Sequence, residues 1–363
     1  MKVTGIWVYP IKGLCGIPLH NARLGPEGVQ HDRRFMLFKV KENGYLQKLQ
    51  LDRFPACSRF VPEIVGDEIH VRYMPPEVPL VPSCPEQSVV LRVPLNPDLS
   101  GLDKQVINLH QALVNAYRMG DSFDKWFTAC FGFETIFLYI GDERRPVLGT
   151  NSPRSQLVVA AAPRTTQSWL PYLYSYIWGG YNYIWGGRDQ RQAEPKPEPD
   201  WLAFADMAAY LVVTEKSLRN VNARFTNTDN AVNIVKFRPN IVVDGEVDFD
   251  EDFWAELSIG DHPVLALTKL CDRCTSLNVD YDTGRFGEGE KGTLLKKLME
   301  DRRVDRGAKW EPVFGKYGFL VDGLDGADVA VGDEVAVTKR TAERPAADWA
   351  YADKTIARFY RYS

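Results

Sequence analysis

Along the first hundred residues the apolar positions alternate more often than they cluster. VTGIWVYP (3–10) alternates and stops at Pro10, RFMLFKV (34–40) follows, and RFVPEIVGDEIHVRYM (59–74) reads as two strands about a Gly66-Asp67 turn. SVVLRVPL (88–95) adds another strand. The period then changes. Phe123, Trp126, Phe127 and Cys130 in GDSFDKWFTACFG sit at helical spacing, and Gly132 is placed to stop that helix. FETIFLYIG (133–141) returns to a strand.

Residues 150–200 break the pattern. SPRSQLVVAAAPRTTQ is followed by a duplicated YIWGG and then by AEPKPEPD, a Pro/Glu linker. This reads as an inserted excursion: either an aromatic-rich surface loop, or a lid or partner patch. Beyond it, DMAAYLVVTEKSLRNVNARF predicts a strand and then a helix capped by Thr214. FRPNIVVDG (237–245) predicts a short buried strand, EDFWAELSIGD (251–261) a helix, and HPVLALTKL (262–270) a strand running into two cysteines. KYGFLVDGLDGADVAVGDEVAV (316–337) supplies closing strands. The pattern therefore predicts a β-rich α+β chain. A β-barrel-like first domain covers 1–149, an insert 150–200, a second barrel-like domain with a few helices 201–340, and a tail 341–363.

Composition narrows the function class. The chain has 363 residues, a formal charge of −4 and 45% hydrophobic residues, which fits a globular protein and argues against a nucleic-acid binder with a basic stripe. No run of about 18 apolar residues predicts a transmembrane segment. The amino terminus reads as a strand rather than a leader or anchor, so a cytoplasmic location is expected.

Six cysteines are spread over some 260 residues, too sparse for a disulfide scaffold. Cys271 and Cys274 form the single CxxC, in KLCDRCTSLNVDYDTG. A structural zinc site asks for two close ligand pairs, and the five histidines supply no second pair. A thiolate also suits softer metals, and the neighbouring Arg273 would lower a thiol pKa and attract an anion. Spacing alone leaves open a second reading, in which both thiols are small core residues.

YPIKG (9–13), DRRFML (32–37), FRPNIVVDG, CDRC (271–274), DYDTG (280–284) and VGDEV (331–335) occur in the order and spacing of MOSC proteins, and the chain resembles the branch containing the mitochondrial amidoxime-reducing component. The resemblance implies an N-terminal β-barrel domain followed by the molybdenum-cofactor sulfurase C-terminal domain. It implies Cys274 as the protein ligand to molybdenum and the catalytic centre, with Cys271 a structural neighbour. Lys12, Gly13, Arg33, Arg238, Arg273 and Tyr317 match cofactor-proximal positions, and Asn240 is expected either to bond the pterin or to close a turn. Cationic forks suit a phosphate-bearing pterin.

Gly13 stands where relatives often carry serine. Met207, Ala208 and Ala209 stand where hydroxyl contacts are usual, and KLQLDRFPAC blurs another family pattern. The implied activity is two-electron reduction of N-hydroxylated small molecules such as amidoximes. Electrons would come from a separate donor of the cytochrome b5 and reductase type, because no flavin or haem motif is visible. The acidic run DFDEDF (248–253) reads either as a partner-facing patch or as a solvated helix start. A cofactor-carrier or sulfur-transfer module is the alternative. In sulfurases such a module follows a pyridoxal-phosphate desulfurase half, and no such half is visible here.

Overall fold

A computed structural model describes residues 1–109, 112–147, 150–154 and 200–348. The YIWGG duplication and most of the expected insert and tail lie outside the described residues. Strands dominate, with three α-helices among the described residues: Asp121–Phe131, Glu215–Asn222 and Leu294–Met299. This is the β-rich α+β class that the alternation predicted.

The largest sheet has eight strands in the order Ile17–Leu19, Val3–Val8, Ile241–Val243, Tyr210–Thr214, Val313–Leu320, His262–Asp272, Trp254–Ile259, Val335–Arg340. Its one parallel pair, Tyr210–Thr214 beside Ile241–Val243, requires a crossover, and the Glu215–Asn222 helix lies within it. Thr214 caps that helix as expected, its side chain accepting from the Ser217 N–H at 3.1 Å. The first strand of the chain is therefore built into the sheet of the second half: Ile6 registers with Ile241.

The rest of the first half packs a five-stranded sheet, in which Phe35–Val40 pairs with Thr135–Tyr139, against the three-stranded meander Phe60–Val65, Glu68–Tyr73, Leu91–Pro94. The Asp121–Phe131 helix fills the space between. Its helical-period residues Trp126, Phe127 and Cys130 are buried, with Phe60 stacked on Phe131 at 4.4 Å. Gly132 ends it in the left-handed region, at φ +76.

Two expectations fail together at residues 248–261. EDFWAELSIGD is not a helix but one 3-10 turn, Asp250–Phe253, followed by the strand Trp254–Ile259. That strand shifts register between Trp254 and Glu256 and again between Glu256 and Leu257. Such bulges turn Trp254, Leu257 and Ile259 all inward, and the three-residue step from Trp254 to Leu257 replaces the period of two. The acidic run is likewise not a solvated helix start, and its centre faces inward. Glu251 and Asp252 are both 0% exposed. Asp252 accepts from Arg302 Nη2 at 2.8 and 2.9 Å and from Arg344 Nε at 2.7 Å, while the buried Lys316 ammonium donates to its carbonyl at 2.9 Å.

Candidate functional site

The seam between the N-terminal turn and the large sheet opens into a cleft with about 800 Å3 of free space, open mouth included. Every residue that the resemblance placed at the cofactor lies in its wall: Lys12, Gly13, Arg33, Arg238, Asn240, Arg273, Cys274 and Tyr317. The turn that follows the first strand and the CxxC that follows His262–Asp272 both reach this one cleft.

The two cysteines have opposite surroundings. Cys271 is buried at 3% exposure, and burial pushes its thiol pKa up even though Arg273 Nη1 donates to the sulfur at 3.0 Å. Cys274 is exposed at the start of the 3-10 turn Thr275–Asn278, its sulfur 3.1 Å from Ser276 Oγ. Arg273 is tied down by three contacts. Its N–H donates to Pro312 O at 2.8 Å, Nη2 donates to Phe237 O at 2.9 Å, and Nη1 holds Cys271. Its Nε, also buried, finds no acceptor.

Arg33 and Arg238 both take left-handed backbone, at φ +50 and φ +56. Non-glycine residues adopt this region at a cost, and they cluster in it at functional sites. The two guanidinium groups lie over the Tyr9 ring, at 4.8 and 4.4 Å. Asp32 holds the assembly: Oδ1 accepts the Tyr9 N–H at 2.7 Å, and Oδ2 accepts from Arg33 and, at 3.1 Å, from Asn240 Nδ2. Asn240 also donates to Trp7 O, while its Oδ1 accepts from Leu211 N and Arg33, each at 3.2 Å. With four bonds made, its amide has no capacity left toward the cleft. Of the two parts expected for Asn240, the geometry gives it the structural one.

Lys12 is 3% exposed and donates to Phe204 O at 2.8 Å and to Asp206. Burial brings its pKa down to about 8 against the opposing pull of Asp206. Gly13 sits at φ +90, and a Cβ there would come within 2.8 Å of Leu49 O, so a serine does not fit this backbone. Tyr317 is driven well above its usual range, chiefly by burial. Asp272 is pushed up to about 7 by burial, with Asp305 and Glu311 adding. Ala208 lines the cleft, whereas Ala209 is in the core behind it. Of these two alanines only Ala208 therefore presents an apolar side chain to the cleft.

Sequence reasoning missed Tyr9, Asp32 and Asp206. The first two lie inside quoted motifs, as the Tyr of YPIKG and the Asp of DRRFML, but nothing in the spacing tells that one holds the other. Asp206 pairs with a lysine 194 positions away, a separation with no local signal.

Residues 199–336 match the MOSC domain and residues 1–134 the MOSC N-terminal beta barrel domain. The chain is 26% identical over 343 residues to mitochondrial amidoxime reducing component 2 of Rattus norvegicus, covering 92% of this chain and 82% of the relative. It is 35% identical over 137 residues to mitochondrial amidoxime-reducing component 1 of Homo sapiens, a stretch spanning 38% of this chain and 39% of that protein. Over 140 residues it is 29% identical to molybdenum cofactor sulfurase of Arabidopsis thaliana, covering 36% of this chain and 16% of the relative. With both domains matched in order and the cleft formed where they meet, the chain belongs to the MOSC family.

Proposed function

We propose that the cleft binds a molybdenum cofactor with Cys274 as the protein ligand to the metal, and that the protein reduces N-hydroxylated substrates such as amidoximes. The observation that carries the reading is the contrast at the CxxC. One thiol is buried and held by Arg273, while the other is exposed in a cleft walled by four cationic side chains. A soft thiolate donor suits molybdenum. Lys12, Arg33, Arg238 and Arg273 suit the phosphate of a pterin, and the unpaired Arg273 Nε is a buried donor in want of an acceptor. The residues present fit the group.

When bound, the cofactor supplies the two-electron chemistry that takes oxygen from an N–OH group and releases it as water. The chain contributes placement. Arg273 fixes the CxxC turn by bonding Cys271, and Asp32 with Asn240 fixes Arg33. Lys12, with a pKa near 8, stays mostly protonated at neutral pH and keeps its charge toward an anion. Electrons come from a separate donor of the cytochrome b5 and NADH-dependent reductase type. A second reading, a cofactor carrier or sulfur-transfer module, is favoured by the similarity to the plant sulfurase and by the apolar Ala208 in the wall.

The test is molybdenum and pterin content of wild type and Cys274→Ala from a host that makes the cofactor, followed by reduction of an aromatic amidoxime with a chemical electron donor. Near-stoichiometric molybdenum that disappears in Cys274→Ala, together with amidine formation, supports the enzyme. Loaded protein that passes its cofactor to an acceptor but forms no amidine supports the carrier. Equal molybdenum in both proteins, or none in wild type, overturns the ligand assignment.

A further inference from the structure

Resting on the reading of Cys274 as the metal ligand, we infer that Ser276 is a positioning residue whose hydroxyl donates a hydrogen bond to the Cys274 sulfur and sets the redox poise of the bound metal. Ser276 Oγ lies 3.1 Å from Cys274 Sγ, and both residues line the cleft. A metal-bound cysteine has no proton to give. The hydroxyl is then the only partner of the two that can donate, and its direction is fixed.

The hydroxyl is held where it is by its turn. Cys274 begins the 3-10 turn Thr275–Asn278, and the Leu277 N–H returns to Cys274 O at 3.3 Å. Leu277 is 0% exposed in the core, which pins the turn from below. Thr275 Oγ1 donates to Asp52 O at 3.3 Å on the opposite wall. Ser276 is therefore presented to the sulfur by a turn anchored at both of its neighbours, which limits its freedom to swing away. Arg273, within the CxxC, directs its Nη1 to Cys271 and its Nη2 to Phe237 O rather than to Cys274.

A donor on a ligating sulfur draws electron density from the metal–sulfur bond and stabilises the more electron-rich, reduced centre. The hydroxyl thus raises the midpoint potential relative to a thiolate without it. It also moves the sulfur-to-metal absorption to higher energy, since a less electron-rich sulfur is a poorer charge donor.

Wild type, Ser276→Ala, Ser276→Thr and Cys274→Ala are purified as full chains from a cofactor-producing host. Molybdenum content, redox-titrated midpoint potential and the visible absorption band are then measured. Ser276→Ala is expected to keep its molybdenum, shift to a lower midpoint potential and absorb at longer wavelength, while Ser276→Thr, which keeps a hydroxyl, stays with wild type. If Ser276→Ala fails to load, loading of Ser276→Thr with the wild-type potential supports the assignment, and failure of both overturns it. Potential and band unchanged in a loaded Ser276→Ala overturn the Ser276 role alone. Molybdenum that does not depend on Cys274 overturns the ligand assignment beneath it.

Discussion

Glu251 offers a stabilising substitution with a defined pH signature. Its carboxyl is fully buried. Oε2 accepts from Ser217 Oγ at 2.9 Å and Thr214 Oγ1 at 3.2 Å, while Oε1 has no partner. Burial first, and the neighbouring Asp252 charge after it, push the pKa from 4.5 up to about 7 against the Ser217 hydrogen bond and the Arg302 charge. Between those two values the folded protein holds a proton that the unfolded chain has released, so stability falls as pH rises through this window. At 1.36 kcal/mol per pKa unit, the loss from this one group is about 2–3 kcal/mol between pH 5 and pH 8. Glu251→Gln removes the titration. Urea unfolding at both pH values is expected to show the variant gaining on wild type by about that amount at pH 8 relative to pH 5. Asp272, also raised to about 7, bends both curves alike and cancels in the difference. An equal gap between the two proteins at pH 5 and pH 8 would refute the buried, protonated carboxyl.

Asp252→Asn leaves the 4%-exposed Arg302 side chain and the buried Lys316 without their counter-charge and is expected to cost about 3–5 kcal/mol in urea unfolding. Gly13→Ser meets both the φ of +90 and the Leu49 carbonyl, and should lower stability by about 2 kcal/mol or more by the same assay. Cys271→Ala removes the sulfur held by Arg273 and should cost about 1–3 kcal/mol while retaining molybdenum, a pairing that unfolding curves and metal analysis read separately.

Much of the fold was legible where the local period agreed with the burial. The alternation of Phe60–Val65 and Glu68–Tyr73, the helical spacing of Trp126, Phe127 and Cys130, and the Thr214 cap all appear as read. The failure at Trp254–Ile259 has a physical source, because bulges change which side chains face inward and erase the period of two. The same segment misled about charge. A row of acids reads as a wet surface unless one knows that Arg302 and Arg344, some 50 and 92 residues on, return to meet it. At the site, motif order located the cleft-lining residues but not the relations among them. For Asn240 the motif could not choose between two parts, since saturation of its amide depends on Trp7, Asp32, Arg33 and Leu211 at once.

The pairing of Val3–Val8 with Ile241–Val243 bears on how the protein is made. A ribosome working at 5–20 residues per second delivers the partner strand on the order of ten to fifty seconds after the first strand has emerged. For that interval the first strand has only its hairpin partner Ile17–Leu19 on one side and an open edge on the other, and the turn bearing Lys12 has no Asp206 to meet. The cleft thus has no floor until most of the chain is synthesised. Any ligand of the cleft would enter a completed protein rather than a growing one, and a fragment ending near residue 149 would leave the far edge of Val3–Val8 open to joining its own copies.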